Sequence, residues 1–143
     1  MIILTGASGG IGHAILASLS KLDDVIALYN TKAPNIEGLA NVTLHKLDLT
    51  SEQDIANFAL TIKRDVKKIV LINAAALSKD GLAAKYSTDN WDQVINVNLR
   101  GSFLLTKAML IPMMEANWGR IIHISSVAAI CGVPGTIAYS AAK

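Results

Sequence analysis

Tyr139 and Lys143 are four positions apart, so their side chains lie on one face if the segment is helical. A free tyrosine titrates near ~10 and exchanges protons poorly at neutral pH. An ammonium about 4 Å away would favour the phenolate by roughly 4 kcal/mol at an effective dielectric near 20, or about 3 pK units at most. The pair therefore predicts a tyrosine that works as an acid at neutral pH.

Ser126 follows an apolar run and precedes Tyr139 by thirteen residues. Its hydroxyl could donate a hydrogen bond to a substrate carbonyl oxygen, which would orient the carbonyl and stabilise developing negative charge. Ser125, one residue earlier, would point to the opposite face of a strand. Each feature also has a simpler interpretation, because a YxxxK spacing arises by chance and a serine after a strand is common.

A glycine-rich segment, residues 5–12, follows the first apolar run and precedes a helical pattern. Glycines permit a sharp strand-to-helix turn and let the backbone approach a pyrophosphate, while a helix N-terminus presents free N–H groups to an anion. This placement predicts a dinucleotide site, and the alternative is a flexible turn that binds nothing. The turn residues predicted to contact a cofactor are Gly6, Ser8, Gly9, Gly10, Ile11 and Gly12.

These motifs resemble the short-chain dehydrogenase/reductase family, whose classical members carry TGxxxGxG at this turn. Gly6, Gly10 and Gly12 match that pattern. Gly6, Gly9 and Gly12 also fit GxxGxxG, which is associated with the extended branch of the family, so the turn alone does not separate the branches.

Two later features favour the classical branch, namely Asn73 and the spacing from Ser126 to Tyr139. The family normally has NNAG where this chain has Asn73-Ala74-Ala75-Ala76. We expect this difference to weaken cofactor binding somewhat, because Ala76 adds a methyl group where backbone and cofactor run close. Residues 76–81 are similar to the equivalent loop of 3-oxoacyl carrier-protein reductases.

The resemblance implies a role for each residue of the constellation. Tyr139 would donate the proton, Lys143 would lower its pKa and hold the nicotinamide ribose, and Ser126 would hold the carbonyl. Asn98 in the segment NVNLRG would support a water that resupplies protons. The implied activity is hydride transfer between a nicotinamide cofactor and a carbonyl or alcohol substrate, with a 3-oxoacyl thioester as one candidate. The alternatives are a non-catalytic dinucleotide-binding module or truncated fragment, and an extended-type epimerase or dehydratase.

The cofactor type depends on the end of the second predicted strand, where a carboxylate would bind a ribose 2′-hydroxyl. Residues 29–32 contain no carboxylate and include Lys32, so we expect NADP(H) to be favoured over NAD(H). By resemblance, Asp48 would meet the adenine amino group, and a simple turn role is the alternative. The further predicted cofactor contacts are Asn30, Asp48, Leu49, Asn73, Ala74, Ala75, Tyr139 and Lys143.

Short β-branched runs alternate with amphipathic stretches, which predicts an α/β fold with a doubly wound parallel sheet of the Rossmann type. Five strands are predicted, at 1–5, 25–29, 42–47, 68–73 and 120–125. Helices are predicted at 12–21, 52–63 and 88–116, with a weaker helical piece at 34–40. Thr50 and Gln53 have capping-box spacing, and Gly101 and Pro112 predict a bend and a kink. The family continues beyond YxxxK, so residues 1–143 are interpreted as one incomplete dinucleotide-binding domain that lacks the family's C-terminal strands.

Composition restricts the partners. The chain has 143 residues, 52% of them hydrophobic and 17% charged, which suits a single globular domain. A net charge of +2 argues against binding to nucleic acid, and the three scattered histidines predict no metal site.

One cysteine and no signal-like N-terminus favour the cytoplasm. Residues 121–142 lack charged side chains except histidine but contain helix breakers, so no membrane span is expected; the full-length protein is expected to form a homo-oligomer.

Overall fold

A computed structural model describes all residues, 1–143, and contains one five-stranded parallel sheet with the order β3-β2-β1-β4-β5. The strands are β1 (Ile2–Leu4), β2 (Val25–Tyr29), β3 (Val42–Lys46), β4 (Val70–Asn73) and β5 (Arg120–His123). The five predicted strands and the parallel α/β fold are confirmed. Because the order reverses beside β1, the carboxyl ends of β1 and β4 flank the crevice where ligands bind in such sheets.

The helices are α1 (Gly10–Leu19), α2 (Glu52–Thr61), α3 (Thr88–Ile95), α4 (Ser102–Glu115), α5 (Val127–Cys131) and α6 (Ile137–Ala142). They cover both faces of the sheet because its strands are apolar on both sides. In β1, Ile3 joins the core layer that contains Leu105 of α4, whereas Ile2 and Leu4 join the layer that contains Leu16 of α1. The fold is therefore doubly wound, with one helical layer on each face.

Two local predictions are wrong. Residues 34–40 are not helical; they contain a turn in which the Leu39 N–H donates to the Ile36 carbonyl, and Gly38 takes a φ of +76°. The cap of α2 is Ser51, whose hydroxyl accepts from the Asp54 N–H at 3.1 Å. Thr50 instead donates its hydroxyl to Asp48, so the capping motif lies one residue later than predicted.

The long helical region is interrupted by a π segment, Asn96–Gly101, between α3 and α4. The predicted bend at Gly101 thus corresponds to the end of a wide turn, and Pro112 lies inside α4. Residues 88–115 are long and apolar enough to cross a membrane by length and composition alone, with mean hydropathy 1.2. In the fold, the inner face of α4 packs on the sheet through Leu105, Met109 and Met113.

The far edge of the sheet is open. All four residues of β5 are exposed, and β4 is the strand that pairs with β5. Residues 121–142 contain the end of β5, two short helices and a loop with Gly132 at φ +65° and Gly135 at φ +87°. That charge-poor stretch is therefore not a continuous helix, as expected from its glycines and proline.

Candidate functional site

A cleft of about 640 Å³ lies at the carboxyl edge of the sheet, above β1 and its two neighbours. Eleven of the predicted cofactor contacts line it: Gly6, Ser8, Gly9, Gly10, Ile11, Gly12, Asn30, Asp48, Leu49, Ala74 and Ala75. The predicted contact Asn73 does not line it, because its buried side chain points toward Thr106 and His123. Tyr139 and Lys143 lie outside this lining as well.

The glycine turn is held tightly against the segment that follows β4. Gly6 has a φ of +65°, and a Cβ placed there would lie 2.6 Å from the Ala75 Cα. The Thr5 hydroxyl, which is buried, accepts from the N–H groups of Ala74 and Ala75 at 3.0 Å each. Two walls of the cleft are thus joined through one oxygen atom.

The first turn of α1 presents backbone N–H groups to the cleft. Gly9 caps the helix without a side-chain hydrogen bond, and the first helical bond runs from the His13 N–H to the Gly9 carbonyl. The N–H groups that precede His13 in the helix are free for an anion, and the helix dipole adds partial positive charge there. This end of the cleft fits a pyrophosphate.

At the other end of the cleft, Tyr29 ends β2, Asn30 and Thr31 follow the strand, and Lys32 lies beyond the lining. Asp48 is the one carboxylate that lines the cleft. Its Oδ1 accepts from the Thr50 N–H and the Thr50 hydroxyl, both at 2.8 Å, so it also fixes the turn into α2.

Helix α6, which carries Tyr139, is anchored on α3. Ala138 is fully buried against Val94, and Ala142 completes this small apolar cluster. Before the helix, the Gly81 N–H donates to the Gly135 carbonyl at 2.8 Å. The loop before α3 and the loop before α6 are therefore bonded to each other, which fixes where α6 begins.

Tyr139 and Lys143 lie on the same side of α6, as their spacing predicted. The Lys143 Nζ is 5.8 Å from the centre of the Tyr139 ring and donates to the Ile124 carbonyl. Burial lowers the pKa of the Lys143 ammonium below its ordinary value. Proton release from this lysine is therefore easier than from a solvated one.

Ser126 and Asn98 occupy structural positions beside this helix. The Ser126 hydroxyl accepts from the Ala128 N–H at 3.2 Å and so caps α5. Asn98, which is buried in the π segment, accepts from the Leu77 N–H at 2.7 Å and donates to the Leu77 carbonyl at 2.9 Å. Since Leu77 also lines the cleft, Asn98 joins the cleft wall to the long helix.

A second cavity of about 330 Å³ lies on the other side of Asn98, between the long helix, β5 and α6. Its polar lining includes Thr106, His123, Ser125 and Lys143. Ser125 donates its hydroxyl to the Lys143 carbonyl at 2.9 Å and thereby fixes the end of the α6 segment. No group of three or more His, Cys, Asp or Glu side chains is placed to hold a metal ion.

Several cleft residues were absent from the predicted contacts: Thr5, Leu28, Tyr29, Thr31, Leu47, Ala76, Leu77 and Val97. Six of them adjoin a predicted contact or a predicted strand end, and Leu77 lies one residue further along the chain than Ala76. The six could have been found from the sequence, since ligands bind in the crevice outside the carboxyl ends of parallel strands, where these residues lie. Val97 comes from the π segment, which no pattern in the sequence indicated.

The comparisons with known proteins agree with this geometry. The family model described as short chain dehydrogenase matches residues 1–143, so the chain belongs to the short-chain dehydrogenase family of oxidoreductases. Nodulation protein G of Rhizobium sp. (strain N33) is 36% identical over 147 residues, which cover 99% of this chain and 60% of that protein.

Reductases are found among the relatives as well. A 3-oxoacyl-[acyl-carrier-protein] reductase of Rickettsia bellii is 34% identical over 146 residues, covering 99% of this chain and 59% of that protein. The corresponding reductase of Pseudomonas aeruginosa is 34% identical over 150 residues, covering 99% and 61%. The chain thus spans about three-fifths of the length of the curated relatives it matches.

Proposed function

We propose that the protein is an NADP-dependent oxidoreductase that transfers a hydride between the nicotinamide and a carbonyl or alcohol substrate, with residues 1–143 forming its dinucleotide-binding domain. The observation that carries this proposal is the cleft at the carboxyl edge of the sheet, bordered by the glycine turn and joined through Leu77 and Asn98 to the region of Tyr139 and Lys143. The bound cofactor would supply the hydride.

The chain's own residues would bind and orient the dinucleotide. The free N–H groups at the start of α1 would hold the pyrophosphate, and Asp48 with Leu49 would border the adenine. Ala74 and Ala75 would form the wall along the cofactor, held by Thr5. We propose that Lys143 holds the nicotinamide ribose.

Proton transfer would fall to Tyr139, whose phenol would donate to the substrate oxygen while the Lys143 ammonium favours the phenolate. Ser126 would donate a hydrogen bond to the substrate carbonyl. Its oxygen already accepts a hydrogen bond from the Ala128 N–H, so its hydroxyl proton would have to point away from that N–H. Asn98 would support proton resupply from within the π segment.

The preference for NADP(H) is proposed from the residues that follow β2. Tyr29, Asn30 and Thr31 line the cleft and include no carboxylate that would repel a 2′-phosphate. Lys32 is exposed and follows Thr31 directly in the chain, so its ammonium is the proposed partner of the 2′-phosphate. Parallel titrations with NADPH and NADH, followed by cofactor fluorescence, test this preference; tighter binding of NADH would contradict it.

A 3-oxoacyl thioester is the proposed substrate class, supported by the 3-oxoacyl-[acyl-carrier-protein] reductases among the relatives and by the resemblance of residues 76–81. The test compares Tyr139→Phe with Tyr86→Phe. The first removes the proposed acid and should abolish thioester-dependent NADPH oxidation while cofactor binding persists. The second removes a phenol that donates to the Lys79 carbonyl at 2.6 Å, outside the cleft, and should keep most of the activity. Equal loss in both variants would contradict the proposed acid.

We also propose a homo-oligomer assembled through the exposed face of the long helix. Large apolar side chains recur there at helical spacing: Leu99, Phe103, Leu110, Ile111 and Met114, each between 42% and 76% exposed. Several large exposed apolar side chains on one helix are typical of a subunit interface. Phe103→Lys should shift the sedimentation profile toward the monomer, and a monomeric wild-type protein would contradict this proposal.

A non-catalytic dinucleotide-binding module is the second candidate. It is favoured by one observation: Tyr139 and Lys143 lie outside the cleft lining, and the Lys143 Nζ is already bonded to a backbone carbonyl. Saturable cofactor binding with no turnover of any carbonyl substrate would support the module.

For location we propose the cytoplasm, because the single cysteine, Cys131, forms no disulfide and stays exposed.

A further inference from the structure

The part of the cleft proposed for adenine lies beyond the hydrogen bonds of the sheet. Strand β3 is an edge strand, and the last bond from this segment to β2 runs from the Leu47 N–H to the Tyr29 carbonyl at 2.8 Å. Asp48 and Leu49 follow that bond and line the cleft. Because the sheet does not hold these two residues, their position depends on contacts with other elements.

The first of these contacts is the turn into α2. The Asp48 Oδ1 accepts from the Thr50 N–H at 2.8 Å, and the Asp48 carbonyl accepts from the Ser51 N–H at 3.1 Å. Ser51 in turn caps α2, which begins at Glu52. The turn fixes Asp48 relative to the start of α2, so whatever holds that start in place also holds Asp48.

The second contact comes from the π segment, whose last residue, Gly101, lies directly on Leu49. A Cβ at Gly101 would be 2.8 Å from the Leu49 Cβ and 2.8 Å from the Leu49 carbonyl oxygen. Because the second of these atoms belongs to the backbone, a different rotamer of Leu49 would not relieve the overlap. Val97 of the same segment lines the cleft, so the close approach at Gly101 brings two parts of the cleft wall together.

An ion pair joins the π segment to α2 at the adjacent position. The Arg100 Nη2 donates to the Glu52 Oε1, so the segment is bonded to the first residue of α2. The two side chains are 44% and 65% exposed, and an exposed pair adds little to stability. Its consequence is geometric, because it joins the start of α2, and with it the turn at Asp48, to the segment that carries Val97.

We propose that Arg100 and Gly101 are positioning residues of the cofactor site, which hold the π segment against Glu52 and Leu49 and thereby place Asp48 and Leu49 for an adenine ring. The proposal rests on the proposed function, which assigns adenine to this end of the cleft. Arg100 and Gly101 lie outside the cleft lining themselves. Their substitution should therefore act by moving Asp48 and Leu49, not by removing a contact with the cofactor.

The first test uses the opposite charges of Arg100 and Glu52. ADP, which carries adenine and a pyrophosphate but no nicotinamide, is titrated by calorimetry into the wild-type protein, Arg100→Gln, Glu52→Gln and the double variant. If the pair acted only through its charges, loss of the cation would weaken binding of this anion and loss of the carboxylate would tighten it. A positioning role predicts weaker binding in both single variants, because each removes the same bond.

We expect each single variant to raise the Kd of ADP by about twofold or more at about 0.3 M salt, where attraction between distant charges is largely screened. The double variant should lose no more than the weaker-binding single variant, since residues in contact are not additive. The matched controls, Lys107→Gln and Asp54→Asn, remove exposed charges of α4 and α2 that form no ion pair, and should leave the Kd unchanged. Opposite signs in the two single variants, unchanged binding, additive losses or an equal change in a control overturn the proposal.

The second test compares Gly101→Ala with Gly119→Ala. Both add a methyl group at a crowded glycine, but a Cβ at Gly119 would meet the Met113 sulfur at 2.6 Å, outside the cleft lining. Both variants should be less stable than the wild type, and only Gly101→Ala should also raise the Kd of ADP, by about tenfold or more. Equal changes of the Kd in the two variants overturn the proposal. If Gly101→Ala does not fold, the charge variants decide.

A measurement without ligand separates this proposal from the proposed function. The backbone amide NMR signals of Asp48, Leu49 and Thr50 should move in Arg100→Gln, although Arg100 is distant in sequence, and should stay in place in Lys107→Gln. Unmoved signals in Arg100→Gln overturn the proposal even where ADP binding is weaker. A wild-type protein that binds no ADP contradicts the proposed function instead, and the amide signals then decide the positioning role alone.

Discussion

At the scale of single residues, Thr5 has a larger structural role than its size suggests. Its side-chain oxygen accepts two backbone N–H groups, from Ala74 and Ala75, and the residue is 1% exposed. Both donors lie in the wall of the cleft. The hydroxyl therefore links the geometry of the glycine turn to the geometry of the opposite wall.

Thr5→Val keeps the shape of the side chain and removes the acceptor. Two buried N–H groups then lose their partner, and we expect the free energy of unfolding to fall by about 2–4 kcal/mol, since each unsatisfied group costs roughly 1–3 kcal/mol. Urea denaturation measures the change. Thr5→Ser retains the hydroxyl and should lose less than half as much. Equal losses in both variants would show that the methyl group stabilises the fold as much as the two hydrogen bonds do, which would contradict the dominant role given to the hydroxyl.

Lys143 gives the protein a pH-dependent stability in alkaline solution. Burial lowers its pKa in the folded state below the ordinary value of 10.5, so between these two values the unfolded chain binds more protons. The free energy of unfolding of the wild type should therefore rise with pH between the two pKa values, relative to a variant that lacks the Lys143 ammonium. Urea midpoints of the wild type and Lys143→Met should converge between pH 7 and 10 as pH rises, because Lys143→Met removes the buried charge and the wild type loses it at high pH. Lys107→Met, which changes an exposed lysine on α4, should show no convergence.

The sequence allowed the prediction that the glycine turn, Asp48, Leu49, Ala74 and Ala75 border one cleft, because residues that end or follow parallel strands lie at the same crevice. Their contacts to a cofactor stay predictions. Asn73 was harder to place. It is the last residue of β4, and the side chain of a strand residue alternates between faces, so a one-residue difference decides between cleft and core. The catalytic roles of Asn98, Ser126, Tyr139 and Lys143 stay predictions.

At the scale of elements, α6 depends on packing rather than on its own length. A helix of six residues is unstable alone, so α6 is stabilised by the packing of buried Ala138 against Val94 of α3. The bond between Gly81 and Gly135 fixes the approach to the helix. The orientation of Tyr139 is therefore set by residues that are distant in sequence.

Ala138→Leu tests this dependence. The larger side chain has no space against α3, and we expect a loss of about 1–3 kcal/mol from overpacking, together with a displaced Tyr139. Ala141→Leu is the matched control, because Ala141 is exposed on the same helix and should change stability by no more than about 0.5 kcal/mol. Thermal denaturation of both variants measures the difference. Similar effects would contradict the proposed anchoring.

The strands were predictable because each is a short run that contains apolar, mostly β-branched residues, whereas the two wrong local predictions have local causes. The sequence of residues 34–40 predicts a weak helical piece, but Gly38 takes a positive φ within a turn. Thr50 and Ser51 are equally good caps in sequence, and the hydrogen bond from Thr50 to Asp48 decides between them. The bond between Gly81 and Gly135 joins distant backbone groups, which no local pattern encodes.

At the scale of the whole molecule, a cofactor that bridges the cleft should stabilise the entire sheet. A ligand that binds only the folded state adds RT ln(1 + [L]/Kd), or about 2.7 kcal/mol at a hundredfold excess over Kd. We expect NADPH to raise the melting temperature more than NADH at equal concentration. Gly12→Ala should abolish the effect, because a Cβ there would overlap the Gly6 carbonyl oxygen. A shift retained in Gly12→Ala would contradict binding at the glycine turn.

The π segment Asn96–Gly101 allows the long helical region to pack on α6 before it and on the sheet after it. Before it, Val94 faces α6; after it, Leu105 and Met109 face the sheet. A wide turn holds one more residue than an α-turn, and each residue of an α-helix advances the side-chain direction by about 100°. Deletion of a single residue from the π segment would thus shorten the helical region by about 1.5 Å and also rotate α3 relative to α4 by about 100°. Either Val94 would lose its packing on α6, or Leu105 and Met109 would lose their packing on the sheet.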